Sequence, residues 1–353
     1  FLSAFESFWN GWCSGRDNIM LVVCGSATSW ILNNLSRNRG GLYGRLTCEI
    51  KLSPFNLKEC EDYFKNENIE MSRYDIVQSY MVFGGIPYYL SYFKKGMSFE
   101  GNADNILFGK NPRLKDEFNR LFNAIFSNPE DCKKIIRLLA KKHVGFTREE
   151  IAKETGLPFG GGLTDTLNAL VESDFIQRYR PYNVSGKVSF YKLIDNFSLF
   201  WLKYVEPNTE DINFMTDNMT SNIMRVWRGV AFEEVCWQHI GQIKRALGIS
   251  GVSSSISAWS VKGNDNKEGV QIDLLIIRND NVVNLCEMKF AGDIYSIDKE
   301  EDAKIRNRIQ TLINTLSPKQ SVHLTMITTY GVSHTMYGGR VQQQVILDDL
   351  FQS

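Results

Sequence analysis

The 353-residue sequence lacks several features, and each absence excludes something. No apolar run approaches the roughly 18 residues that a bilayer-spanning helix needs. The seven cysteines (13, 24, 48, 60, 132, 236 and 286) are scattered, with no CxxC pair and no Cys/His cluster at metal-ligand spacing. That pattern argues against a disulfide framework and a structural zinc site, and it predicts reduced thiols in a cytoplasmic protein. No signal sequence opens the chain. A surplus of either charge is also missing, since 40 Lys and Arg balance 40 Asp and Glu. A protein that grips nucleic acid mainly through phosphates is usually basic, so any DNA contact here must rest on local stripes. Repeats and low-complexity tracts are absent. The first residue is Phe1 rather than Met, which suggests a fragment of a longer chain.

The composition is that of a globular protein, and the length allows two or three domains with real cores. Ile19-Met-Leu-Val-Val-Cys24 reads as a central parallel strand buried on both faces. It ends in the small polar turn Gly25-Ser-Ala-Thr-Ser29, before a helix over Trp30–Leu35. A strand, turn and helix in this order is where α/β folds place ligand phosphates. A second strand is expected over Thr47–Leu52 and a helix over Leu57–Phe64. Yet a phosphate-gripping loop, GxxxxGK[ST], is lacking: Gly109-Lys110 precedes Asn and Gly186-Lys187 precedes Val. Val345-Ile-Leu-Asp-Asp349 mimics the acidic strand that holds magnesium in such proteins, but at the far C-terminus it reads as a last strand.

In the middle of the chain, Glu130–Lys142 is amphipathic, and Thr147-Arg-Glu-Glu150 is a capping box opening a helix that Gly156 ends. A third helix carries Leu163, Leu167, Leu170 and Val171 on one face. Strands over Phe175–Arg180 and Val188–Leu193 flank the hairpin Asn183–Lys187. This is the order of a winged helix. The third helix offers Thr164, Asp165, Thr166, Asn168 and Glu172 with no Lys or Arg, so base reading is poorly equipped and an internal packing role is favoured. The acidic stretch Pro207–Asn222 reads as a linker.

Residues 223–353 read as a helix over Ile223–Leu247, three strands (Ser254–Val261, Val270–Ile277, Val282–Phe290), a helix over Lys299–Leu316 and strands over Ser321–Tyr330 and Val341–Leu347. Asp273 is an acid inside an apolar strand, which needs a reason because an unpaired buried carboxylate is costly. Glu287 and Lys289, two apart on the next strand, share a face, and the Asn279–Asn281 turn makes the two strands antiparallel neighbours. Carboxylates converging there suit Mg²⁺ or Mn²⁺, and a lysine beside the ion can stabilise charge developing on a phosphate. Glu233 on the preceding helix could supply a third carboxylate. His239, His323 and His334 show no pairing pattern and read as core or surface histidines.

Two resemblances join these pieces. Phe1–Asn10, Cys24-Gly-Ser-Ala-Thr-Ser-Trp30, Gly41-Leu-Tyr-Gly-Arg-Leu-Thr47 and Gly84-Gly-Ile-Pro-Tyr-Tyr89 resemble, in this order, archaeal and bacterial AAA+-like ATPases related to the STAND class. Those proteins carry a C-terminal nuclease-like domain of unknown function. The resemblance implies a P-loop and magnesium-binding strand upstream of Phe1, with ATP a cofactor of the longer parent. It implies Ser26 at a sensor position, Arg45 near the nucleotide, and Gly85-Ile-Pro87 as a lid element beside the adenine. The order helix-Glu, strand-Asp, strand-Glu-x-Lys resembles the PD-(D/E)xK nucleases. That likeness implies Glu233, Asp273 and Glu287 as metal ligands, the Met288 carbonyl as a further ligand, and Lys289 as the catalytic lysine; Ile272 stands where the motif has proline. Arg306 and Gln310 are candidates to face the site.

The expected fold is therefore a multi-domain α/β protein. It comprises the C-terminal part of an ATPase core (1–63), a helical lid (64–125), a winged helix (126–206), a linker (207–222) and a restriction-endonuclease-like α/β domain (223–353). The function implied is Mg²⁺- or Mn²⁺-dependent hydrolysis of DNA, gated by the ATPase. The alternative is a non-catalytic, ATP-dependent switch whose winged-helix and nuclease-like domains bind DNA or a protein partner. DNA, the missing ATPase half or a protein partner are the candidate partners, and a membrane is not.

Overall fold

The computed structural model describes residues 2–25, 40–182, 188–208, 210–261 and 269–352. Helix α1 (Leu2–Phe8) runs into a π-turn over Trp9–Cys13. The two segments expected as strands, 19–24 and 47–52, have no ladder partner among the described residues. Met20, Val22, Ile50 and Leu52 are 85%, 76%, 76% and 89% exposed. A doubly buried parallel strand needs hydrogen-bonded neighbours at its edges and helices on its faces. Neither apolar run has these among the described residues, so the described part of 1–63 differs from the expected α/β core in contributing no strand.

Regular packing begins at α2 (Leu57–Asn66), which runs across the expected boundary at residue 63. Its start is fixed by a capping box: Asn56 Oδ1 accepts from the Glu59 N–H at 2.9 Å, and Glu59 Oε2 accepts from the Asn56 N–H at 2.8 Å. The helices α3 (Arg73–Phe83), α4 (Pro87–Leu90), α5 (Phe99–Ala103) and α6 (Glu117–Ile125) follow. Helix α3 is buried along almost its whole length, from Ile76 to Phe83, which explains why it shows no amphipathic stripe.

The next unit comprises α7 (Pro129–Leu139), β1 (Phe146–Thr147), α8 (Arg148–Thr155), α9 (Gly161–Glu172), β2 (Ile176–Tyr179) and β3 (Phe190–Leu193). Its three strands form an antiparallel sheet in the order β1-β3-β2. The Thr147–Glu150 capping box is formed in both directions, and Gly156 ends α8 with φ of +72°. The hairpin expected at 183–187 lies outside the described residues. Helix α10 (Asn196–Phe200) leads to α11 (Phe214–Asn218). This stretch is docked rather than loose: the buried Asp104 carboxylate accepts from the N–H of Met215 at 2.7 Å, the N–H of Thr216 at 3.0 Å and the Thr216 hydroxyl at 2.6 Å.

The C-terminal unit starts with α12 (Asn222–Gln238) and α13 (Ile240–Ala246). The sequence suggested one continuous helix here. The break falls at His239, whose ring Nδ1 and backbone N–H both turn onto the Val235 carbonyl, at 2.7 and 3.1 Å. The strands β4 (Ser254–Val261), β5 (Val270–Arg278), β6 (Val282–Lys289), β7 (Ser321–Thr328) and β8 (Gln343–Ile346) form one sheet in sequential order. The pairs β4–β5 and β5–β6 are antiparallel, while β6–β7 and β7–β8 are parallel. Helix α14 (Lys299–Ile313) forms the crossover between β6 and β7.

The two faces of this sheet bury different things. Leu274, Ile276, Cys286, Met288, Ile327 and Val345 join the apolar cluster that holds α12 and the helices from α2 onward. Leu275, Val283, Leu285, Leu324 and Met326 join a separate cluster with Ile305 and Leu312 of α14. The helical region, the unit of 129–193 and the C-terminal sheet thus share one continuous core.

Candidate functional site

The site lies where β5 and β6 pass between α12 and α14. Strand β5 is irregular there. Against β4, Ser257 pairs with Leu275 but Trp259 pairs with Ile272, so Asp273 and Leu274 together oppose Ala258. This is a β-bulge, a device that re-aims a side chain and leaves a ladder group unpaired. The Trp237 indole N–H, from α12, donates to the Asp273 carbonyl at 2.9 Å. The Asp273 side chain is directed toward α12, where Gln271 Nε2 donates to its Oδ1 at 2.6 Å.

Ligand atoms of Asp273, Glu233 and His143 all lie within 4.8 Å of one another, the one such group of metal-binding side chains among the described residues. Glu233 projects from α12, and its Oε2 lies 2.6 Å from His143 Nε2. His143 comes from elsewhere, the turn between α7 and β1. That turn is fixed by Tyr179, whose hydroxyl donates to the Val144 carbonyl at 2.7 Å. It is fixed again at Gly145, with φ of +77° and a position where a Cβ would sit 2.1 Å from the Tyr191 carbonyl oxygen. On its other side His143 Nδ1 lies 3.3 Å from Glu234 Oε1, and Lys192 Nζ holds the same buried carboxylate oxygen at 2.8 Å.

Glu287 and Lys289 project to the opposite side, toward α14. Arg308 Nη1 lies 3.1 Å from Glu287, and Arg308 Nε donates to the Gln271 carbonyl at 3.1 Å. Lys289 Nζ is 2.8 Å from Glu301. The bulge therefore separates what the strand spacing placed together: Asp273 meets Glu233, while Glu287 lies one ladder step beyond the Leu274–Cys286 pair and bonds to α14. Met288, between Glu287 and Lys289, packs its side chain into the α12-facing core and pairs in register with Ile327. Arg306 pairs with Asp302 at 3.0 Å, and Gln310 bonds Asn314 at 3.3 Å, so neither joins these groups.

The electrostatics show how crowded with carboxylates this place is. Burial pushes the Glu287 carboxyl up to about 7 despite the nearby Arg308 and Lys289 charges, and Asp273 adds to the rise. Glu233 is raised by burial first and by Asp273 next, partly offset by His143. Burial alone would lower the His143 ring, but the Glu234 charge and the Glu233 contact outweigh it and leave the pKa above its ordinary value. Lys289 follows the same pattern, with Glu301 and Glu287 outweighing its desolvation.

The expected nucleotide-site residues have structural surroundings of other kinds. Ser26 lies outside the described residues. Arg45 is exposed, its backbone closing a turn onto the Leu42 carbonyl at 3.1 Å. At Gly85 a Cβ would lie 1.9 Å from the Phe55 carbonyl oxygen, and Pro87 occupies the first turn of α4, so each position has a local backbone reason for its residue.

No sequence pattern marked His143, because its partners are far downstream. The pinning of its turn by Gly145 shows only in three dimensions.

No protein-family model matches the chain. An uncharacterised protein of Methanocaldococcus jannaschii, MJECL04, is 27% identical over 266 residues, covering 74% of this chain and 57% of the relative. Among solved structures, the Walker-type ATPase PABY2304 of Pyrococcus abyssi is similar at 18% identity over 57% of each chain, with a TM-score of 0.38. The chain thus spans about 57% of the length of each of these proteins. No helix among the described residues is long and apolar enough to cross a membrane.

Proposed function

We propose that the C-terminal unit is a PD-(D/E)xK-type, divalent-metal-dependent phosphodiesterase acting on DNA, and that 1–125 and 126–206 are the ATPase remnant with its lid and a winged helix that together gate it. The observation that carries this reading is the meeting of Glu233 and Asp273 at a bulge of β5, one strand from Glu287 and Lys289. The element order helix, three antiparallel strands, crossover helix and parallel strand adds to it. Three helices with a small antiparallel sheet, β1 after the first helix and β2 and β3 after the third, support the winged-helix assignment of 126–206. The ATPase assignment rests on the sequence resemblance.

The donor set fits a hard divalent cation, with carboxylates of Glu233 and Asp273 at hand and His143 Nε2 buried without a directed hydrogen bond, while Glu287 faces Arg308 on the opposite side. Bound there, Mg²⁺ or Mn²⁺ would supply Lewis acidity toward a phosphate oxygen. The chain's own residues do the rest. Asp273 and Glu233 fix the position of that charge. Lys289, oriented by Glu301, offers a fixed positive charge toward a phosphate whose oxygens gain negative charge in the transition state. Arg308 holds Glu287 in place.

A second reading has its own observation. Glu287 pairs with Arg308, Lys289 with Glu301 and Glu233 with His143, as in a self-satisfied ion-pair network serving as a docking platform. Plasmid and single-strand cleavage with Mg²⁺ or Mn²⁺ separates the two. Cleavage by the wild type that vanishes in Asp273→Ala and Lys289→Ala supports the nuclease. No cleavage together with no divalent-ion binding by calorimetry supports the platform.

A further inference from the structure

We propose that His143 is itself a metal ligand, so that the cation site is built jointly by the C-terminal unit and the unit of 129–193, and that the site prefers Mn²⁺ to Mg²⁺. The inference rests on the reading of Glu233 and Asp273 as metal ligands and adds a residue from another part of the fold.

Four observations converge. His143, Glu233 and Asp273 each present a ligand atom within 4.8 Å of the others. His143 Nε2 is buried yet makes no directed hydrogen bond, although Glu233 Oε2 is only 2.6 Å away. Two lone pairs at that separation repel unless a cation or proton sits with them. Ligand atoms at about 2.1 Å from one ion lie about 3 Å apart, so a few tenths of an ångström of opening admits it.

The other ring nitrogen completes the pattern. Metal-bound histidines commonly donate their second N–H to a carboxylate, which fixes the tautomer and aims the free nitrogen at the ion. Here His143 Nδ1 faces Glu234, which is fully buried and anchored by Lys192. That arrangement leaves Nε2 for the cation.

Charge balance points the same way. Glu233, Glu234 and Asp273 carry three negative charges, and Lys192, paired with Glu234, offsets one of them. With His143 neutral, two negative charges remain, which one divalent ion cancels. An imidazole among carboxylates favours Mn²⁺ and later transition ions over Mg²⁺, which prefers oxygen alone.

The test titrates Mn²⁺ and Mg²⁺ separately into the whole chain by calorimetry, for the wild type, His143→Ala, His143→Gln and Asp273→Ala, with thermal melts to confirm folding. The wild type should bind Mn²⁺ at least about tenfold more tightly than Mg²⁺. His143→Ala and His143→Gln should lose about tenfold or more of Mn²⁺ affinity and leave Mg²⁺ binding nearly unchanged. Asp273→Ala should lose both ions. Electron spin-echo measurements on Mn²⁺ bound to the unmodified chain should show coupling to an imidazole nitrogen, which does not depend on any variant folding. Mn²⁺ binding that survives His143→Gln, or bound Mn²⁺ without the nitrogen coupling, overturns the inference and leaves the metal site standing. A wild type that binds neither ion overturns both.

Discussion

The Trp237 indole N–H donates to the Asp273 carbonyl at 2.9 Å, joining α12 to the bulge in β5. The bulge takes this carbonyl out of step with the ladder, and the indole supplies a donor. Trp237→Phe keeps most of the ring packing and removes that donor. It should cost about 1–3 kcal/mol, measured by urea denaturation. Divalent-ion affinity should fall with it, because Asp273 is no longer held in its aim.

Gly85 is a packing glycine. A Cβ there would meet the Phe55 carbonyl oxygen at 1.9 Å, and the Phe55 N–H donates to the Gly85 carbonyl at 2.7 Å, so the two backbones cannot separate cheaply. Gly85→Ala should lower the melting temperature by an amount equivalent to about 1–3 kcal/mol. A variant as stable as the wild type would point back to a ligand-contact role for this position.

His239 makes stability depend on pH. Its ring is buried, with Nε2 accepting the Leu57 N–H at 3.0 Å and Nδ1 donating to the Val235 carbonyl at 2.7 Å, and burial pushes its pKa down to about 4 from 6.5. The unfolded chain therefore takes up the proton first as pH falls. The contribution is fully present above about pH 6.5 and is lost between there and about pH 4, roughly 3 kcal/mol in all. Urea melts between pH 8 and 4 should show this loss in the wild type and a shallower one in His239→Gln. Parallel curves for the two would exclude the assignment.

Lys289 and Glu301 should behave as a coupled pair. Both side chains are largely out of water, at 29% and 16% exposure, so removing either leaves the other poorly compensated. A double-mutant cycle with Lys289→Met and Glu301→Gln should give a coupling of about 1 kcal/mol or more. If the nuclease reading holds, Lys289→Met abolishes cleavage, whereas Glu301→Gln retains a reduced rate because the cation is displaced and not lost.

Much of the C-terminal unit was legible in the sequence because its signals are local. Alternating and continuous apolar runs place all five strands within a few residues, and Asn279–Asn281 sets the β5–β6 turn. The capping box at Thr147 and the stop at Gly156 are equally local. Long-range effects were not legible. The bulge at Asp273 depends on the β4 register and on Trp237, and it turns the acid toward α12 and away from Glu287. His143 reaches Glu233 only because Gly145 and Tyr179 fix its turn. The apolar run at 19–24 carries the pattern of a buried strand, but that pattern specifies a strand only where neighbouring strands are present to pair with it.

The anchoring of Met215 and Thr216 by Asp104 changes how the molecule can be taken apart. A chain of beads joined by slack string offers a protease its joints and lets each bead be expressed alone. Here the stretch after Pro207 is fastened to the helices before it, and Trp227 of α12 packs edge-on against Phe200 and Tyr204 from earlier in the chain. Cutting at 207 would strip that cover and leave a sticky, unstable remainder. A biochemist seeking the smallest working unit should keep everything from α2 onward, since the candidate site and the helices that shelter it fold as a single piece.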